Sequence, residues 1–240
     1  MANLNLSPSE VASKVPELRT KFNEKFQSEI ASGKFDERDV SRFNSDDAYA
    51  RCFLRTMKAK GDVDKAVDVV QEAFIMRKEY LVNDFDEDKV PQEIKDRNGI
   101  FYRGKDKEGH PILYIDVKQN TASGDEVVLL KCYIAGMFEK HHRTNPEQMC
   151  VVFFDMSSAG LSNLNMDITK FIISCFKVAF PAFLAYMINY DMPFILNAAW
   201  KVISSLASGD QSKKIQVVKK GDLTRLINKE ELWGHLAEKN

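Results

Sequence analysis

From Phe171 to Leu206 the chain carries only three charged side chains, Lys177, Asp191 and Lys201. Pro181 and Pro193 cut this stretch into pieces, and its longest charge-free run, residues 178–190, has 13 residues. A membrane-spanning helix needs roughly 18–20. The stretch is therefore expected to be the buried heart of a globular domain or the wall of an apolar cavity. Residues 149–154 just before it are an unbroken apolar run of strand length, as for a strand covered on both faces. That run ends at Asp155, whose carboxylate is expected to accept N–H groups from a loop containing Ser157, Ser158 and Gly160.

The pieces differ in period. Ile168, Phe171, Ile172, Cys175, Phe176 and Ala179 fall on one helical stripe, which predicts a helix stopped by Pro181. Residues 185–190 suit a second strand. Pro193 is placed to open another helix, with Ile195, Ala198, Ala199, Val202, Ile203 and Leu206 on its inner face. Leu196 and Trp200 widen that arc and leave only Asn197, Lys201 and Ser204 as a polar strip. Two readings stay open: a neighbouring segment covers Trp200, or the helix lies between an inner cavity and a membrane.

A length of 240 residues with 44% apolar content suits one large domain, or a small helical unit joined to a larger one. The net charge of −1 gives no global pull toward nucleic acid. Cys52, Cys132, Cys150 and Cys175 lack metal or redox spacing and read as buried thiols of a reducing, cytoplasmic compartment. The opening MANLNLSPSEVASK has no apolar core of a secretory signal.

In chain order, Ser7 and Glu10 have the form of a capping box. Leu18, Phe22, Phe26 and Ile30 then mark a helix running to Gly33, Asp36 and Ser45 can cap the next two, and Val63–Phe74 marks a long one. Residues 1–82 thus read as a helical unit and 83–240 as a second lobe. Asp84, Asp86 and Asp88 begin like a calcium loop, but Lys89 and Lys95 stand where glycine and glutamate are required, so a solvated linker is expected. Strands at 100–103 and 112–117 form a hairpin, and a helix follows that ends in the basic cluster Lys140-His141-His142-Arg143. After a loop at 207–212 come a strand at 215–218 and a helix capped by Asp222. Strands alternating with helices argue for a mostly parallel, helix-covered sheet, an α/β fold. Nucleophile-elbow, phosphate-loop and dinucleotide motifs are missing, and the four histidines lack metal-ligand spacing, so no enzyme, metal or cofactor is expected.

Several segments together resemble the CRAL-TRIO lipid-binding family. They are ARCFLRTMKAKGDVDKAVDVVQEAFIMRKEY, KDKEGHPILYIDV, VVFFDMSSAGLSN and FKVAFPAFLAYMINYDMPFILNAAWKVISSL. The resemblance implies an N-terminal helical bundle followed by a lobe whose sheet floors an apolar pocket, with residues 193–206 as its gate. It implies a single bound lipid, a phospholipid such as phosphatidylinositol, and transient contact with a membrane surface. The family's phosphoinositide signature is matched in part. Lys213 or Lys214 stands at the lysine before the late strand, Ala182 replaces a glutamate, and Met57, flanked by Arg55 and Lys58, occupies a basic position.

On this reading Phe153, Met156, Phe171, Ile172, Cys175, Phe176, Tyr190, Ile195, Ala199 and Ile203 face the lipid. Lys213, Lys214, Arg55 and Lys58 meet its head group, and Leu196 and Trp200 touch the membrane. A two-chain lipid with ~30 methylenes at about 0.8 kcal/mol each costs roughly 25 kcal/mol to expose to water, so the pocket has to be apolar. The alternative is a protein-interaction or membrane-recruitment module with a filled core and no lipid exchange.

Overall fold

The computed structural model describes residues 6–97, 99–206 and 213–240. Packing divides the chain into two compact units. One holds the residues up to Glu87 together with Lys131–Glu147 and Ser174–Phe183, and the other holds Asp88–Leu130, Gln148–Ile173 and Leu184–Asn240. The expected division at residue 82 follows the sequence, whereas the packing units interleave, because two later segments join the N-terminal helices.

The first unit begins with α1 (Pro8–Ser13), α2 (Val15–Lys25), α3 (Gln27–Ala31), α4 (Glu37–Ser45), α5 (Asp47–Leu54) and α6 (Val63–Glu79). The capping box forms: Ser7 N–H donates to the Glu10 carboxylate at 2.6 Å, and Glu10 N–H donates to Ser7 Oγ at 3.3 Å. Asp36 and Asp62 cap α4 and α6. Ser45, expected to cap α5, instead ends α4. Asp46 is the cap and accepts the Tyr49 N–H at 3.0 Å. The single helix expected up to Gly33 breaks at Phe26, whose ring packs against Phe22 and Phe35. Phe22, Phe43, Phe53 and Phe74 form the centre of this core, mostly edge-to-face.

A fully buried guanidinium sits in the same unit. Arg77 on α6 donates to Asp39 at 3.0 Å and to Glu139 at 2.8 Å. Arg42 and Arg143 also donate to Glu139, at 3.3 and 3.0 Å. Burial alone would raise the Glu139 pKa, but Arg77 overrides it and holds the carboxyl at about 2. Nearby, the buried His142 has its Nε2 3.1 Å from the Pro181 carbonyl, and burial pushes its pKa down to about 3, so the neutral ring donates this bond. Residues 83–87 lie along the same helices: Asp84 pairs with Arg38, Glu87 with Lys140, and the Phe85 ring covers Gly136. Residues 83–87, expected in a solvated linker, are thus tied down by Arg38 and Lys140.

The second unit is built on five strands: β1 (Ile100–Lys105), β2 (Pro111–Asp116), β3 (Cys150–Asp155), β4 (Leu184–Tyr190) and β5 (Ile215–Val218), in spatial order β1-β2-β3-β4-β5. The β1–β2 hairpin is antiparallel, and the remaining pairs are parallel. Among the described residues the other α-helices are α7 (Gln92–Asp96), α8 (Glu126–Thr144), α9 (Met166–Ser174), α10 (Asn197–Leu206) and α11 (Gly234–Lys239). The helix expected to reach Ala179 leaves α geometry at Cys175 and finishes as a π-helical turn. The helix expected after Asp222 is a short 3₁₀ turn, Leu223–Arg225, without an Asp222 side-chain cap. The loop expected at 207–212 lies outside the described residues.

Registry sorts the strand side chains onto two faces. Tyr114, Phe153 and Ile188 are aligned neighbours, as are Asp155, Tyr190 and Val218. This face is closed by Leu223, Ile227, Leu232, Trp233 and Leu236 from the C-terminal residues. The opposite face carries Leu113, Val152, Met187 and Ile215 in one row, and Ile115, Phe154, Asn189 and Val217 in the next.

Candidate functional site

Pro193 is followed by a 3₁₀ turn, Phe194–Leu196, and only then by α10. A 3₁₀ residue advances about 120° around the axis rather than about 100°, so the phase read from a continuous α-helix slips. Leu196, expected to meet a membrane, is fully buried against Val117, Met156 and Ala159. Ile195, expected in the pocket, is instead 59% exposed, with Phe194 88% and Val202 54% exposed. Ile203 is buried, and Ala199 and Trp200 are half-buried. The turn and helix thus bury apolar side chains on the inner side and expose others on the outer side, beside the exposed Lys201. An ordinary surface helix puts charge on its outer face.

Met156 lies in the cluster beneath Leu196, with Phe154, Leu164 and Met192 packed against it. The root of α10 therefore meets the sheet on the Phe154 face. Phe153 and Tyr190, assigned to the pocket from sequence, are fully buried on the other face among Tyr114, Trp233 and Leu236. Their neighbours in the chain, Phe154 and Asn189, point the other way. A strand apolar on both faces gives no parity signal, so nothing in residues 149–154 tells which sheet face Phe153 or Phe154 takes. Phe171 and Ile172 are buried on α9. Cys175 and Phe176 belong to the first unit, where Phe176 stacks on Phe183 and lies tilted against Phe138.

The basic candidates divide in the same way. In the first unit Arg55 donates to Glu147 at 2.7 Å and Lys58 to Glu72 at 2.6 Å, so each already has a carboxylate partner. In the second, Lys213 is exposed and Lys214 is half-buried just before β5. The Lys214 ammonium donates to the Leu184 carbonyl, and burial lowers its pKa from the ordinary lysine value. A partly desolvated cation that donates to a neutral carbonyl favours the approach of an anion.

Two carboxylates serve the scaffold. Asp155, at the end of β3, accepts the Ser157 N–H at 2.9 Å, as the sequence led one to expect, and also the Tyr114 hydroxyl at 2.6 Å. His235 Nε2 lies 2.6 Å from the same carboxylate, tying α11 to the central strand. Asp106 locks the β1–β2 turn through the N–H groups of Glu108 and His110 and the Tyr186 hydroxyl. Ligand atoms of Asp106, Glu108 and His110 lie within 4.8 Å of one another, but the Asp106 carboxylate is already saturated by these donors. Burial pushes the Cys52 and Cys150 thiols up to about 12, which makes them inert. Among the described residues no helix is long and apolar enough to cross a membrane.

The chain is similar in sequence to two curated proteins and in fold to a solved structure. It is 28% identical over 145 residues to the phosphatidylinositol transfer protein CSR1 of Eremothecium gossypii, covering 58% of this chain and 32% of that protein. It is also 28% identical over 149 residues to a CRAL-TRIO domain-containing protein of Schizosaccharomyces pombe, covering 60% of this chain and 33% of that protein. The chain thus spans about a third of the length of the curated relatives it matches. The crystal structure of Sfh5 shares the fold, with a TM-score of 0.67 at 13% identity over 90% of this chain and 82% of that one. The family model for the CRAL/TRIO domain matches residues 96–236, more than half of the chain, and the chain belongs to that family.

Proposed function

We propose that this chain binds a single phospholipid beneath α10 and exchanges it with membranes, acting as a carrier and not as an enzyme. The observation that carries this reading is the two-sided apolar character of the segment from Phe194 to Ile203. Leu196 and Ile203 are buried, while Phe194, Ile195 and Val202 face out. Such a segment suits a gate that closes over acyl chains on one side and meets a bilayer on the other. The acyl chains then lie on the sheet face of Phe154, Met187 and Val217, with Met156, Phe171, Ile172, Ala199 and Ile203 as further lining. Lys213 and Lys214 remain the head-group candidates, whereas Arg55 and Lys58 would first have to leave Glu147 and Glu72.

The name of one relative, a phosphatidylinositol transfer protein, supports a phospholipid cargo. The stretch Phe171–Leu206 also resembles the CRAL-TRIO domain of motile sperm domain-containing protein 2. A cytoplasmic carrier that visits membranes fits this cargo. Native mass spectrometry of the purified chain tests the proposal: a co-purifying species of phospholipid mass is expected. Lys213→Ala combined with Lys214→Ala is expected to lower transfer of anionic lipid between vesicles more than transfer of phosphatidylcholine. A clean apo mass with no lipid uptake would instead favour the non-exchanging interaction module.

A further inference from the structure

We propose a second bilayer contact, a fixed foot centred on Leu161, beside the gate and independent of its motion. Leu161 is 56% exposed on the short turn Leu161–Asn163, two residues after the buried Ala159. That turn is locked to the turn Val117–Gln119 by reciprocal amide bonds. Asn120 Nδ2 donates to the Asn163 carbonyl at 2.8 Å, and Asn163 Nδ2 donates to the Lys118 and Asn120 carbonyls at 2.9 and 3.2 Å. Asn163 Oδ1 in turn accepts the Gly160 N–H at 2.9 Å. A leucine left half in water is unremarkable alone. Here it is held out by a rigid two-turn clamp, with the exposed Lys118 on the partner turn.

The position of the clamp decides what it meets. Val117 and Ala159 belong to the same buried cluster as Leu196, and Leu164 packs against that cluster. We infer that Leu161, Phe194 and Ile195, exposed on segments that meet in this one buried core, form an apolar rim. An apolar rim with a lysine beside it matches the boundary between lipid head groups and acyl chains. The occupant is a lipid bilayer surface. The inference rests on the carrier reading and adds to it a contact that stays in place while α10 moves.

The test uses the full chain and sedimentation with vesicles of phosphatidylcholine containing phosphatidylserine. Leu161→Asp is expected to reduce vesicle association roughly tenfold, the scale of one lost leucine insertion. Melting temperature and the lipid seen by native mass spectrometry should stay unchanged, because the side chain is exposed. Leu161→Trp should strengthen association, and its added indole should be quenched by brominated acyl chains. Unchanged association of Leu161→Asp, or an unquenched indole, overturns the foot, and the rim would then belong to a protein partner. A chain that carries lipid but ignores vesicles also overturns the foot while leaving the cargo reading intact. A chain with neither lipid nor vesicle association defeats both.

Discussion

His142 should make the first unit acid-sensitive well above the pH at which carboxylates titrate. In the folded chain burial holds its pKa at about 3, against an ordinary value of 6.5. Above pH 6.5 the ring is neutral in both states and the full stability is present. Below 6.5 the unfolded chain takes up a proton that the folded chain refuses, so stability falls with pH until the folded value is passed. The slope approaches about 1.36 kcal/mol per pH unit below 6.5, so lowering the pH from about 7.5 to about 5.0 removes about 2 kcal/mol. His142→Gln abolishes this titration and retains an N–H that can serve the Pro181 carbonyl. Urea unfolding followed by circular dichroism at stepped pH should show wild-type stability falling more steeply than that of the variant, by about 2 kcal/mol across the window. Parallel pH profiles would refute the reasoning, whatever the variant does to absolute stability.

Arg77→Met should destabilise the chain by about 3–5 kcal/mol in chemical denaturation, because Asp39 would stay buried without its guanidinium and Glu139 would keep only Arg42 and Arg143. Gly136→Ala should also destabilise, since the added methyl would lie 2.1 Å from the Phe85 ring. Phe85→Ala in the same chain should recover part of the loss, and strict additivity of the two in a thermal melt would show that they do not meet.

Much of the architecture was legible in the sequence because its signals are local. Apolar runs of strand length, capping aspartates and helical stripes placed all five strands and the main helices, and the ordered set of motifs named the family. The site was less legible. Phe153 and Phe154 are chemically alike in a strand covered on both sides, so only registry against Ile188 and Asn189 separates them. Ile195 and Leu196 changed places because Pro193 opens a 3₁₀ turn, a conformation that leaves no mark in apolar spacing. Arg55 and Lys58 looked available because their partners, Glu147 and Glu72, lie 92 and 14 residues away in sequence.

The interleaving of the first unit bears on how the chain is born. Arg77 leaves the ribosome long before Glu139, and the helices that surround it receive Phe180 and Phe183 later still. The nascent N-terminal helices therefore wait with a desolvating cation and an unfilled aromatic seam until residue 183 emerges. A fragment cut at residue 82 would be frozen in that waiting state. This helical head is finished by the body that follows it, and it should need a chaperone's shelter during synthesis more than its place at the front of the chain suggests.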